Sequence, residues 1–235
     1  MSNIPLLLLP GLLNDARLWE AQISGLADIA DITVADSTRE NSMAALASAA
    51  LAQAPAQHFA LAGLSMGGYV ALEIMRQAPE RVTGLALLDT SARPDTAEAT
   101  QNRRKLIKLA GNSFPAVVNG LLPKMVHPAH LQDAELTGIF RAMALTVGQA
   151  AFVRQQEAII GRIDSRPFLK NIKCPTLVLC GRDDAITPVS LHEEMVAGIP
   201  ASRLVIIEEC GHLSVLEQPQ QVNDAFEEWL HCINA

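Results

Sequence analysis

Phe59-Ala60-Leu61-Ala62-Gly63-Leu64-Ser65-Met66-Gly67-Gly68 is the stretch from which the fold can be read. Phe59 to Gly63 is apolar without alternation, as in a strand buried on both faces, and Met66 to Gln77 follows with helical periodicity until Pro79 stops it. The join contains Gly63-Leu64-Ser65-Met66-Gly67, a G-x-S-x-G match in the strand-to-helix setting that gives such a match meaning. A serine on so sharp a turn sits in a crowded backbone conformation, and side chains at 63 or 67 would collide with the neighbouring strand and helix. The turn sets the Ser65 hydroxyl at a helix N-terminus, where the backbone N–H of Met66 is placed to stabilise a developing oxyanion.

The same rhythm of short apolar runs and helical patterns continues on either side. Further strands are predicted at Pro5 to Leu9, Asp31 to Ala35, Val82 to Leu88, Thr176 to Cys180 and Leu204 to Ile207. Helices are predicted from a Ser42 cap through Ala54, from Thr187-Pro188 to about Ala197, and from Pro219 onward with Phe226 and Trp229 facing inward. Repeating βα units of this kind build a parallel sheet. Residues 94–170 lack strand signals and read as an all-helical insertion, broken at Gly111, Pro115, Pro123, Pro128 and Gly148, within one domain of residues 1–235.

Composition narrows the function. With 49% hydrophobic and 18% charged residues in 235, the chain has ample material for one core, and its net charge of −7 argues against a nucleic-acid partner. No basic residue precedes Leu6 to Leu9, Pro10-Gly11 ends that run, and nothing approaches the ~18 to 20 uninterrupted apolar residues of a membrane span, so no membrane partner is expected. Cys174, Cys180, Cys210 and Cys232 form no C-x-x-C pair and sit in or beside apolar runs, which reads as buried thiols in a reducing cytoplasm. With no H-E-x-x-H, no Walker loop and no G-x-G-x-x-G after the first strand, neither a metal nor another cofactor is expected, and Pro128 argues against His127 and His130 as a metal pair.

A serine hydroxyl needs an imidazole to take its proton, and a carboxylate to orient that imidazole. Of six histidines only His212 follows a predicted strand and a glycine in a loop; His58, His127, His130, His192 and His231 read as surface or packed polar residues. For the acid, Asp183 and Asp184 both follow the Thr176 to Cys180 strand, and adjacent side chains there point different ways.

These features together resemble the α/β-hydrolase superfamily, in particular its small esterase-like members with a helical cap. Besides the serine turn, Leu6-Leu7-Leu8-Leu9-Pro10-Gly11-Leu12 through Trp19 resembles the first strand and oxyanion loop. Gly181-Arg182-Asp183-Asp184-Ala185-Ile186-Thr187-Pro188 resembles the acid loop, and Cys210-Gly211-His212 through Glu217-Gln218-Pro219 the histidine loop. The resemblance implies a six-stranded, mostly parallel sheet in the order 2-1-3-4-5-6, with residues 94–170 as a lid. It implies Ser65 as nucleophile, His212 as base and Asp184 as acid, with Asp183 and Asp89 as alternatives, and backbone N–H groups of Met66 and Leu12 as oxyanion donors. One departure stands out: many members have His-Gly where this chain has Pro10-Gly11, which leaves the loop's supporting hydrogen bonds open.

The function expected is cleavage of a small carboxylic ester, thioester or lactone through an acyl-enzyme. The same three residues would also serve a carbon-carbon bond hydrolase or lyase, and a non-catalytic ligand-binding protein on this fold is the alternative of a different class. Phe114, Met125, Phe140, Met143 and Phe152 are the expected pocket lining. The insertion holds ten basic and six acidic residues, +4 against −11 for the remainder, so Arg141, Arg154 and Arg162 are candidates to hold an anionic substrate group.

Overall fold

The computed structural model describes residues 3–233. Strands β1 (Ile4–Leu9), β2 (Ala30–Val34), β3 (Phe59–Leu64), β4 (Val82–Leu88), β5 (Thr176–Gly181) and β6 (Ser202–Ile207) form one sheet in the order β2-β1-β3-β4-β5-β6, the expected order. All of its pairings are parallel. The central strands are buried along their length, which explains why their sequences run apolar without alternation. β6, at an edge, is only half-buried until Ile207.

The helices are α1 (Glu20–Gly25), α2 (Met43–Gln53), α3 (Met66–Gln77), α4 (Ala97–Asn112), α5 (Phe114–Met125), α6 (Ala134–Ile160), α7 (Val189–Gly198), α8 (Ser214–Glu217) and α9 (Pro219–Ile233). The Ser42 hydroxyl caps α2 by accepting from Ala45 N–H. In α9 Phe226 and Trp229 are buried edge-to-face, and the Trp229 indole N–H donates to the Pro175 carbonyl at 3.1 Å. The short α1 and α8 carry too little periodicity to be seen in the sequence.

Between β4 and β5 lie α4, α5 and α6, the helical insertion. Two expected breaks fall slightly late, with α4 ending at Asn112 and α5 at Met125. Gly111 stays within α4, and Pro123 is accommodated in the last turn of α5, where little further helix depends on it. Gly148 does interrupt α6, with φ +79° and ψ 167°, a conformation suited to glycine. By length and composition alone α6 could cross a membrane, but this break divides it into two shorter helices. The cysteine expectation is corrected at two positions: Cys180 and Cys210 are buried, whereas Cys174 is half-buried and Cys232 is exposed on the outer face of α9.

The insertion docks at the C-terminal ends of the strands. Arg154 Nε donates to the Thr38 carbonyl beyond β2, Gln155 reaches the loops after both β1 and β2, and the Met125 carbonyl accepts from His212 N–H beyond β6. Open parallel sheets form their ligand crevice at this edge.

Candidate active site

β3 ends at Leu64 and α3 begins at Met66, so the turn has one residue, Ser65, with φ 56° and ψ −115°. Such a conformation costs on the order of 1–3 kcal/mol in a non-glycine residue and persists only where its surroundings enforce it. Ser65 N–H donates to the Leu88 carbonyl, and its own carbonyl accepts from Gly68 N–H at 3.0 Å and the Thr90 hydroxyl at 2.8 Å. A Cβ on Gly63 would overlap the Gly67 carbonyl, and one on Gly67 would overlap the Leu9 carbonyl. Gly67→Ala is therefore expected to lower stability by about 1–3 kcal/mol or more, read as a fall in the thermal unfolding midpoint. An unchanged midpoint would show that the turn has slack the packing denies.

Ser65 Oγ lies 2.8 Å from His212 Nε2, and His212 Nδ1 lies 2.8 Å from Asp184 Oδ2. The imidazole and both carboxylate oxygens are buried. Asp184 also accepts from the backbone N–H groups of Ile186 and Thr187 and from the Thr187 hydroxyl, so its orientation is over-determined. Burial by itself would raise the Asp184 pKa, but the charge and hydrogen bond of His212 and the Thr187 donors hold it below the ordinary value. For His212 burial works downward; the charge and hydrogen bond of Asp184 outweigh it and hold the imidazole above 6.5.

The other two acids go elsewhere. Asp183 is half-exposed and its carboxylate faces His127 at 3.5 Å. Asp89, at φ 45° just beyond β4, is fully buried and accepts from Gly181 N–H and from the Ser214 hydroxyl and N–H, a strut beneath the acid and histidine loops. Burial and then the nearby charge of Asp184 push its pKa up, while His212 and Thr187 hold Asp184 down, so of the two carboxylates Asp184 more strongly favours the ionised form.

Met66 is the first residue of α3, where a backbone N–H has no intrahelical acceptor. Leu12 lies in the loop after β1, and neighbouring Gly11 packs against the Leu64 carbonyl, which brings this loop beside the serine turn.

Several supporting residues escaped the sequence reading. The buried Glu217 carboxylate accepts from N–H groups on both sides of His212, those of Gly211 and Leu213, and from His127 N–H, and it bonds His130 Nδ1 at 2.8 Å, tying the histidine loop to the insertion. His192 is fully buried and accepts from Thr90 N–H; burial lowers it to about 4, so it is neutral. It is thus a packed polar residue, one of the two readings the sequence left for it.

The lid residues divide. Met125 meets His212 through its backbone carbonyl. Phe140, Met143 and Phe152 are fully buried, and Phe152 faces Phe114 at 5.9 Å, so this pair packs the insertion on itself. Of the candidate arginines, Arg162 bonds Asp95 at 2.8 Å and stacks on Tyr69, Arg154 bonds the Thr38 carbonyl, and Arg141 is exposed beside Asn119. Asp95, a buried acid of the insertion itself, pairs with both Arg162 and Arg103.

The chain is similar to several known proteins. A solved thermophilic esterase from Thermogutta terrifontis, with malate bound, is 32% identical and superposes with a TM-score of 0.91 over 100% of this chain and 92% of that one. The pimeloyl-[acyl-carrier protein] methyl ester esterase of Nitrosomonas europaea is 27% identical over 72% of this chain and 70% of its own. The 3-oxoadipate enol-lactonase 2 of Acinetobacter baylyi is 28% identical over 70% of this chain and 61% of its own. The profile of the alpha/beta hydrolase family matches residues 6–225. That match runs from β1 into α9 and takes in every strand and each loop that meets at Ser65; the chain belongs to the alpha/beta hydrolase family, and it is a hydrolase.

Proposed function

We propose that the protein cleaves a small carboxylic ester, thioester or lactone through an acyl-enzyme on Ser65. The observation that carries this reading is the unbroken chain from Ser65 Oγ through His212 to Asp184, 2.8 Å at each link. Ser65 Oγ attacks the acyl carbon as its proton passes to His212 Nε2. The tetrahedral oxyanion forms against the N–H groups of Met66 and Leu12. Its collapse breaks the bond to the alcohol or thiol, which leaves with the proton from His212. A water then attacks the acyl carbon, again giving its proton to His212, and the carboxylic acid departs as Ser65 recovers its proton. Asp184 stays ionised throughout and steadies the imidazolium. The similarity to an esterase and to a lactonase supports acyl transfer.

In this reading the partner is a small-molecule substrate, no nucleic acid or membrane takes part, and no cofactor is required. The free thiols Cys174, Cys180, Cys210 and Cys232 support placing the enzyme in the cytoplasm. The test is labelling with a fluorophosphonate, with the adduct mapped to Ser65, followed by turnover on a panel of short esters, thioesters and lactones alongside a carbon-carbon substrate. No adduct and no turnover overturn the reading; turnover of the carbon-carbon substrate alone replaces it with the lyase-like one.

The pH dependence has a defined sign. His212 acts as base only when neutral, so kcat/KM rises with pH through its pKa, and that acid limb is expected above 6.5 because Asp184 favours the imidazolium. An acid limb below that value in the wild-type profile would contradict the assignment.

A further inference from the structure

The loop that carries Leu12 has no imidazole in its own sequence to support it, and its conformation is not the one its residues prefer. Asn14 N–H donates to the Gly11 carbonyl at 3.2 Å, closing a turn with Leu12 and Leu13 at its centre. Leu13 has φ +62° whereas Leu12 keeps a negative φ, the pattern of a type II turn, which normally places glycine where Leu13 stands. A type I turn would suit leucine better, and the two differ by a rotation of the Leu12–Leu13 peptide. Leu13 is also fully buried, so its N–H has no water to turn to.

What holds the unfavourable form is a lid residue. Leu13 N–H donates to Gln155 Oε1 at 3.1 Å, and Gln155 Nε2 donates to the Ser37 carbonyl at 3.2 Å. An N–H only donates and a carbonyl only accepts, so these two partners allow the Gln155 amide one orientation. Gln155 is fully buried on α6, 142 residues from Leu13, and its neighbour Arg154 anchors the same helix to Thr38. Removing the acceptor would orphan a buried N–H and leave Leu13 in its left-handed conformation; rotating the peptide about Leu12 relieves both. That rotation turns the Leu12 carbonyl and the Leu13 N–H; the Leu12 N–H lies one peptide earlier, in the same four-residue turn, so its placement depends on the turn that the Gln155 bond holds.

We infer that Gln155 is a positioning residue for the oxyanion loop, so that the docked lid helix completes the site for the tetrahedral oxyanion. The inference rests on the reading of Ser65 as an acyl-transfer nucleophile and Leu12 as an oxyanion donor.

The test compares Gln155→Leu, which removes the acceptor, with Gln155→Glu, which keeps an oxygen for Leu13 N–H. A wild-type enzyme that neither labels at Ser65 nor turns over an ester overturns the underlying reading before either variant is made. With an active wild type, Gln155→Leu is expected to lower kcat about 100-fold per folded molecule, as for a lost oxyanion donor. KM and the acid limb should stay near wild type, because His212 and Asp184 are untouched, and affinity for an alkyl boronic acid should fall in parallel with kcat. Gln155→Glu should recover most of the kcat. A role confined to packing predicts the reverse order, since a buried charge harms the fold more than leucine does. Unchanged kcat in Gln155→Leu, a shifted acid limb, or a glutamate variant slower than the leucine one overturns the inference. If Gln155→Leu does not fold, the glutamate variant decides: kcat within about tenfold of wild type supports the inference, and any larger loss overturns it.

Discussion

Ser65→Ala is expected to lower kcat on the order of 10⁶-fold, because the nucleophile and its base act as one unit and what remains is catalysis by binding and oxyanion donors. KM should move little, and fluorophosphonate should no longer label the chain. Retention of more than about 1% of wild-type turnover by a purified, folded Ser65→Ala protein would remove Ser65 from the mechanism. The same position offers a stability readout. Ser65 is held at φ 56°, where a Cβ is strained and glycine is not, so Ser65→Gly should be more stable than Ser65→Ala by about 1 kcal/mol. A stable but inactive glycine variant would show that the turn stores strain for the sake of the hydroxyl it presents.

The second large effect separates two buried carboxylates. Asp184→Asn should lower kcat on the order of 10⁴-fold, since the amide favours the wrong imidazole tautomer and no longer stabilises the imidazolium. With that charge gone, burial dominates the His212 balance, and the acid limb of the residual activity should move to lower pH. Asp89→Asn should cost within about tenfold in kcat, because Asp89 braces Gly181 and Ser214 and makes no hydrogen bond to His212 among the described residues. Burial and the charge of Asp184 disfavour its ionised form, whereas Asp184 is held toward ionisation, so an amide is the smaller change at Asp89. If the two variants reversed in severity, Asp89 would be the orienting acid and Asp184 the brace.

The insertion is more than a cover. Glu217 gathers N–H groups from both sides of His212 together with His127 and His130, so the loop bearing the base is bonded to the lid, and Gln155 bonds the lid to the loop after β1. Lid docking and the alignment of the reacting groups are therefore linked. Two of its arginines, Arg103 and Arg162, pair with its own Asp95, while Arg154 ties it to the loop after β2. A charge count over residues 94–170 registers their number but not their partners.

The sequence alone determined the strands, the serine turn and the loops that carry His212, Asp183 and Asp184, while the strand order came from its resemblance to a family. Those features are written in local signals: unbroken apolar runs for strands buried on both faces, helical periodicity between them, and glycines where backbones touch. Tertiary structure decided which acid meets His212. Asp183 and Asp184 are adjacent in sequence, and only the closure of the Asp184 carboxylate onto Ile186 N–H, Thr187 and His212 separates a buried charge from a half-exposed one. It also decided what holds the oxyanion loop and the histidine loop. Leu13 and Gln155 stand 142 residues apart and His127 and Glu217 stand 90 apart, and a hydrogen bond between groups so distant leaves no periodicity or spacing in either segment. Such a bond exists only once packing has brought two buried polar groups together and left each without water.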